Sequence, residues 1–438
     1  MSKDGIISEK IEAIKRGSNV YEIGRVSSVK DYILEVRGLE NAAFYERVSV
    51  GSKAEGFVSF IGPSSVTVTL IRLNAPVHVD DEVTASGSQF TALFSPDSVG
   101  HVVDMFGEDR LSGHIFKDRI KLDVINIPTP IMDRSAVNRP LYTGITGIDL
   151  LYPIGKGQRQ LILGSKKTGK TQIALDTLVN QKDSDMICIY IAIGKTKKEV
   201  KQIYKELFQK GAIRNTIILT AFQDDCTPQL LLTPQVGLSI AEYYMKQQKD
   251  VLVVIDDLSK HADIYREINL LAGKVPGRDA YPTDIFYAHA SLLERGCQHK
   301  DGGSITVLPI VETKSADITD YISTNVISIT DGQLVLSRKA FEKGNKPAID
   351  YGLSVSRLGG AVQTKELRSL GTRVRRELLS YLETRAVFEL ANLDEMSKEL
   401  QDKMARGKAM LELMNQYKFD SRTPEQIVKM FADLEAEE

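Results

Sequence analysis

The sequence predicts a multidomain α/β protein: a small β-barrel first, then a central parallel sheet with helices on both faces, then a C-terminal helical domain. Three observations predict it. Short β-rich runs separated by Gly, Pro, Asn and Asp fill residues 20–85, the pattern of a small barrel or sandwich. From about residue 90, apolar strand-like runs alternate with longer helical patterns, as parallel strands joined by helical crossovers do. After about residue 364 the strand signals stop, and Leu and Met recur at helical spacing.

Taken in order, residues 1–18 read as a short polar helix or arm with Ile11 and Ile14 as its apolar contacts. The barrel domain is placed at 19–89, with strands at 20–29, 32–36, 57–61, 65–73 and 77–85. The nucleotide-binding domain is placed at 90–364. Its strands are expected at 161–163, 187–193, 216–219, 251–255 and 305–310, and helices at 170–180, 199–210 and 237–248. The helical domain is placed at 365–438, with helices at 366–381, 385–401 and 408–416, a break at 420–424, and a last helix at 425–434.

Composition excludes several classes. Of 438 residues, 42% are hydrophobic and 26% charged, so packed domains rather than disorder are expected. A formal net charge of -2 supplies no global basic surplus for a nucleic-acid backbone, and no nucleic-acid partner is expected. Cys188, Cys226 and Cys297 are far apart and lack metal-ligand spacing, which fits a reducing compartment. The first residues carry Lys3 and Asp4 and no apolar stretch, and no run of 18 apolar residues occurs. A cytoplasmic protein, or one peripheral to the cytoplasmic face of a membrane, is expected.

The chemistry-bearing motif is GxxxxGK[ST], here Gly164, Ser165, Lys166, Lys167, Thr168, Gly169, Lys170 and Thr171. The glycines let the backbone turn tightly and aim its N–H groups inward. Lys170 places a cation on the β/γ-phosphates, and Thr171 offers a hydroxyl to Mg²⁺. A strand at 161–163 and a helix from Gln172 give it the right context. A second signal is the apolar run 251–255, which ends in Asp256 and Asp257. A carboxylate at the carboxyl end of a central strand can hold Mg²⁺ beside such a loop. Two acids after a strand also serve as helix caps. Asp257 suits the cap, and Asp256 the metal.

With their surroundings, these residues resemble the α and β subunits of F1-type ATPases, and the flanks are α-like. The segments carrying the resemblance are 139–144 (RPLYTG), 153–159 (PIGKGQR), 256–260 (DDLSK), 276–282 (PGRDAYP), 292–295 (LLER), 324–332 (TNVISITDG) and 352–357 (GLSVSR). The likeness is strong over about 100–365 and weaker in the barrel and tail. It implies a RecA-like P-loop core, ATP or ADP with Mg²⁺ as ligands, and an alternating hexamer. Its partners would be a catalytic β-like subunit and a central-stalk γ-like subunit.

In the family's catalytic subunits a Glu follows the Gly that ends the strand after the P-loop helix, and it polarises the attacking water. Here that position is Lys195. An ammonium has three donors and no acceptor, so the resemblance implies a non-catalytic subunit. Ordinary α chains carry Gln there. Glu199 is the substitute base to weigh, against the role of a solvated Glu at a helix start. Arg357 matches the Arg that reaches across the interface to the γ-phosphate held by the neighbouring subunit, with an ordinary salt bridge as the alternative. Lys346, Pro347 and Gln416 match positions lining the adenine pocket, although Lys346 and Lys418 replace the family's Arg and Gln. The chain is shorter at both ends than a typical synthase α subunit. It is similar in this to the α-like subunits of the F1-like ATPases of mycoplasmas, where further membrane or cell-surface partners are expected. The alternatives are the α subunit of a genuine proton-translocating synthase and a homohexameric translocase or helicase. Lys195 argues against the last, since every subunit would then lack the base.

Overall fold

A computed structural model describes residues 22–314, 317–388 and 398–436. The helix expected at 1–18 lies outside the described residues.

Six strands form a closed barrel: β1 (Glu22–Lys30), β2 (Ile33–Arg37), β3 (Glu46–Val50), β4 (Ala54–Ile61), β5 (Val66–Leu73) and β6 (Glu82–Gln89). The order is β1-β2-β5-β4-β3-β6, and β6 pairs back onto β1. Alternation explains the closure. Leu34 and Val36, Val48 and Val50, and Val66 and Val68 point inward and are buried. The sequence reading missed β3, whose five residues hold only two apolar positions. It also placed the last strand at 77–85, whereas β6 begins at Glu82. The cause is a turn at Asp80 and Asp81: Asp80 takes φ 69°, and the Asp81 carboxylate accepts from His78 N at 2.8 Å.

The central sheet runs through β7 (Val102–Val103), β8 (Leu161–Gly164), β9 (Ile187–Lys195), β10 (Thr216–Phe222), β11 (Asp250–Asp256), β12 (Ser304–Glu312), β13 (Gly332–Leu336) and β14 (Val355–Ser356). Its order is β14-β13-β8-β12-β11-β9-β10-β7, and along this path only the β13–β14 pair is antiparallel; two short strands, Arg134–Ser135 and Cys297–His299, add antiparallel pairs beside β12. Successive residues serve opposite faces. Ile189, Ile191, Val251 and Val253 join one apolar cluster, while Cys188, Tyr190, Leu252 and Val254 join another. Both faces are therefore covered, which is why these strands read as unbroken apolar runs.

Helices α1 (Thr146–Leu151), α2 (Lys170–Asn180), α3 (Lys197–Gln209), α4 (Thr227–Met245), α5 (Leu258–Leu271), α6 (Ile285–Leu293), α7 (Tyr321–Ile329) and α8 (Arg338–Glu342) accompany the sheet. The expected helix at 237–248 is the second half of α4. Pro234 reads as a breaker, but the helix runs through it with Leu230, Leu232 and Val236 buried on either side.

The tail is α9 (Lys365–Phe388), α10 (Lys398–Met414) and α11 (Pro424–Ala436). Two expected breaks are absent. α9 passes straight through 381–385, and α10 passes through Gly407. That glycine packs against Tyr381, whose Cγ would lie 2.2 Å from an added Cβ, so it marks a close helix crossing rather than an end. The middle of the helix expected at 385–401 lies outside the described residues.

Two buried polar clusters stiffen the core. Arg295, fully buried, donates to both carboxylate oxygens of Glu242 at 2.6 and 2.9 Å, to Ser239 Oγ at 2.8 Å and to Gln235 O at 3.1 Å. Between α5 and α6, His261 Nδ1 lies 3.3 Å from His289 Nε2. Burial pushes these rings down to about 4 and about 3 respectively. Unfolded, each would titrate near 6.5. Depressed folded values mean that the stability is fully present above pH 6.5 and is lost as pH falls towards 4. Each ring should cost about 2 kcal/mol by pH 5. Urea unfolding at pH 7 and pH 5 checks this. His289→Leu should remove about half of the difference, and an unchanged difference would mean that the pair does not carry it.

Candidate functional site

Four strands end at one place. Parallel register sets Gly164 of β8 beside Glu312 of β12, and Ala192 of β9 beside Asp256 of β11. The carboxyl ends of these strands therefore open onto one crevice, where α/β sheets bind ligands.

The loop 164–171 links β8 to α2. Lys167 (φ 64°) and Gly169 (φ 100°) take left-handed conformations that turn the chain into the helix. Gly169 is the N-cap, so the first N–H groups of α2 face the crevice without intrahelical partners. Thr168 Oγ1 donates to Ser165 O at 2.8 Å and holds the loop closed. The Lys170 ammonium is buried, donates to Gly164 O at 2.8 Å and Ser165 O at 2.6 Å, and lies 3.7 Å from Glu312 Oε2. Burial pushes it below its ordinary value, and the nearby carboxylates partly offset this.

Asp256 sits at the end of β11 and is almost wholly buried. Its Oδ2 accepts from Thr171 Oγ1 at 2.9 Å and from the Tyr190 hydroxyl, and it lies 3.0 Å from Lys195 Nζ. Asp257 caps α5 by accepting from Lys260 N at 2.7 Å. Burial, with the Asp256 charge next to it, pushes Asp257 up to about 6. Glu199 closes a capping box with Thr196 N and Oγ1 at 2.8 and 2.7 Å, which holds its carboxyl below the usual range. That commitment makes it a helix-start residue.

Beside the loop lies a cavity of about 420 Å³. Thr168, Gly169 and Asp176 line one side, and Phe341, Lys346, Pro347, Gln416 and Tyr417 line the other. The Gln416 amide is committed: Oε1 accepts from Thr146 N at 2.6 Å, and Nε2 donates to Gly144 O at 2.9 Å and Asp420 O at 2.7 Å. These bonds fix Gln416 in the cavity wall. Lys346 Nζ stands over the Tyr417 ring at 5.5 Å.

Arg357 is elsewhere. It follows β14 at the sheet edge and is exposed. Its Nη2 donates to Ile327 O at 3.2 Å, and its N–H donates to Asp331 O at 2.9 Å. Among the described residues no carboxylate pairs with its guanidinium.

Residues 144–356 match the family described as ATP synthase alpha/beta family, nucleotide-binding domain. The ATP synthase subunit alpha of Pediococcus pentosaceus is 41% identical over 414 residues, covering 94% of this chain and 82% of that one. The chain belongs to the ATP synthase alpha-subunit family. The Mycoplasma genitalium ATP synthase subunit alpha is also 41% identical, with 93% of this chain and 79% of that one covered. That of Streptococcus pneumoniae is 41% identical, with 94% and 82% covered. The loop, Asp256 and Arg357 all lie within the matched segment of this nucleotide-binding family, or one residue past it. Among the described residues no helix is long and apolar enough to cross a membrane.

Two contributors at the crevice were absent from the sequence reading. Tyr190 is hidden inside an apolar strand pattern, and Glu312 ends β12 with no motif around it. A strand-end acid in a parallel sheet was the available signal for Glu312.

Proposed function

We propose that this chain is the non-catalytic, α-like subunit of an alternating hexameric F1-type ATPase, with a β-like catalytic neighbour and a γ-like shaft. It binds ATP or ADP at residues 164–171. The N–H groups of the loop and Lys170 face the phosphates, and the cavity walled by Lys346, Pro347 and Gln416 takes the base. Thr171 and Asp256 bring oxygen donors, which suit a hard cation such as Mg²⁺. Such an ion, held by these residues, would supply positive charge to offset that of the phosphates. The complex would lie in the cytoplasm, at the cytoplasmic face of a membrane.

The observation that carries the non-catalytic reading is the Lys195 ammonium, 3.0 Å from Asp256, where a catalytic subunit needs a base. A cation held by a buried carboxylate has no lone pair to offer water. Calorimetry and a phosphate-release assay on the purified chain test it. Nucleotide binding with turnover at least 100-fold below that of the assembled complex is expected. Rapid turnover by the chain alone would refute the reading.

For the work of the complex, two readings stand. Equal 41% identity to three ATP synthase subunits favours a proton-translocating synthase. A hydrolysing motor with other membrane or cell-surface partners is the alternative, and copurification of the native complex separates them.

A further inference from the structure

Lys195 does more in this structure than fail to be a base. The strand β9 continues three residues past Ala192, the partner of Asp256, and its pairing to β10 shifts register between Ile193 and Lys195. At the shift Gly194 takes φ 62°, which bends the strand end and turns the Lys195 side chain back over β11. Its ammonium meets the same oxygen, Asp256 Oδ2, that faces the Thr171 hydroxyl. Asp256 is 2% exposed, so this pair is only weakly screened by water.

We propose that the Lys195 ammonium supplies, from the protein itself, the positive charge that Mg²⁺ would bring to Asp256 and the phosphates, so that this site holds nucleotide with little dependence on Mg²⁺. The inference rests on the reading of residues 164–171 as a nucleotide site. Two physical points support it. A carboxylate whose charge is already matched gains less from a second cation, and that cation is repelled by the first at close range. The other hydrogen-bond partners of Asp256 Oδ2, the Thr171 and Tyr190 hydroxyls, are neutral, and the Lys170 ammonium, which also feels the Asp256 charge, spends its hydrogen bonds on the Gly164 and Ser165 carbonyls. Take away the ammonium, and the buried carboxylate should demand a metal. Lys195 is in this sense a positioning and charge-supplying residue.

The test is calorimetric titration of the purified full-length chain with ADP, once with excess Mg²⁺ and once with EDTA. For the unmodified chain the Kd should change less than about 5-fold. In Lys195→Gln it should weaken at least about 20-fold on chelation, and Lys195→Arg, which keeps the charge, should stay insensitive. A 100-fold loss in EDTA by the unmodified chain would overturn the inference while leaving the nucleotide site intact. Failure to bind ADP in either buffer would overturn both. Because the unmodified chain alone decides the first comparison, the test survives a variant that does not fold. Insensitivity retained in Lys195→Gln would also overturn it, by showing that the charge comes from elsewhere.

Discussion

Replacing Arg357 with Ala should reduce ATP hydrolysis by the reconstituted ring about 10³–10⁵-fold, or about 4–7 kcal/mol of barrier, at a site this chain does not own. The guanidinium stands exposed at the sheet edge beside β14, held by the Ile327 carbonyl and facing no described carboxylate. A salt-bridge role would have placed an acid there. Charge builds on the phosphoryl oxygens as the bond breaks, so the contact should be worth more in the transition state than in the ground state. Nucleotide affinity at the neighbouring site should therefore fall much less than turnover. Binding at this chain's own loop should survive, since Arg357 lies outside the crevice. Arg357→Lys should not rescue, because a point charge lacks the planar fork. A ring that assembles normally and keeps most of its hydrolysis would show that Arg357 is structural.

Arg295→Ala should destabilise the folded chain by about 3–5 kcal/mol. The Glu242 carboxylate would remain buried with only the Asn126 amide, 2.7 Å away, to replace the bidentate guanidinium. Ser239 Oγ would keep only the Asn126 amide at 3.5 Å, and Gln235 O would lose one of its two side-chain donors, keeping the Ser239 hydroxyl at 3.1 Å. Urea unfolding reads the loss. The double variant Arg295→Met with Glu242→Leu should recover most of it, since an apolar pair of similar volume avoids the desolvation of both charges. A single-variant loss under 1 kcal/mol would mean that solvent reaches the pair.

What the sequence could and could not disclose follows physical lines. The class of fold was legible because barrel, sheet and tail have different hydrophobic periods, and the structure contains all three in that order. The loop at 164–171 was legible as a turn from strand to helix because its shape is local: Lys167 and Gly169 turn the chain within adjacent residues. The pairing of Lys195 with Asp256 was not. It depends on which strands are neighbours and in what register, and the intervening chain, residues 196–255, says nothing about that. The breaks expected in the tail failed for a related reason. Gly407 looks like a helix end in isolation and is a contact in three dimensions. Gln416 does line the cavity, as its position in the resemblance implied, but the sequence could not show that its amide makes three bonds to the protein's own backbone.

The closure of the barrel has a consequence for assembly. With β6 paired to β1, none of its strands offers a row of open backbone donors and acceptors along its length. The central sheet finishes at each side in a strand of two residues, Val102–Val103 and Val355–Ser356. At the barrel and at these two ends of the central sheet, a second copy would find almost no backbone template on which to add a strand and propagate a fibre. A partner meeting these edges would have to be recognised through side chains, which can distinguish one partner from another where backbone cannot.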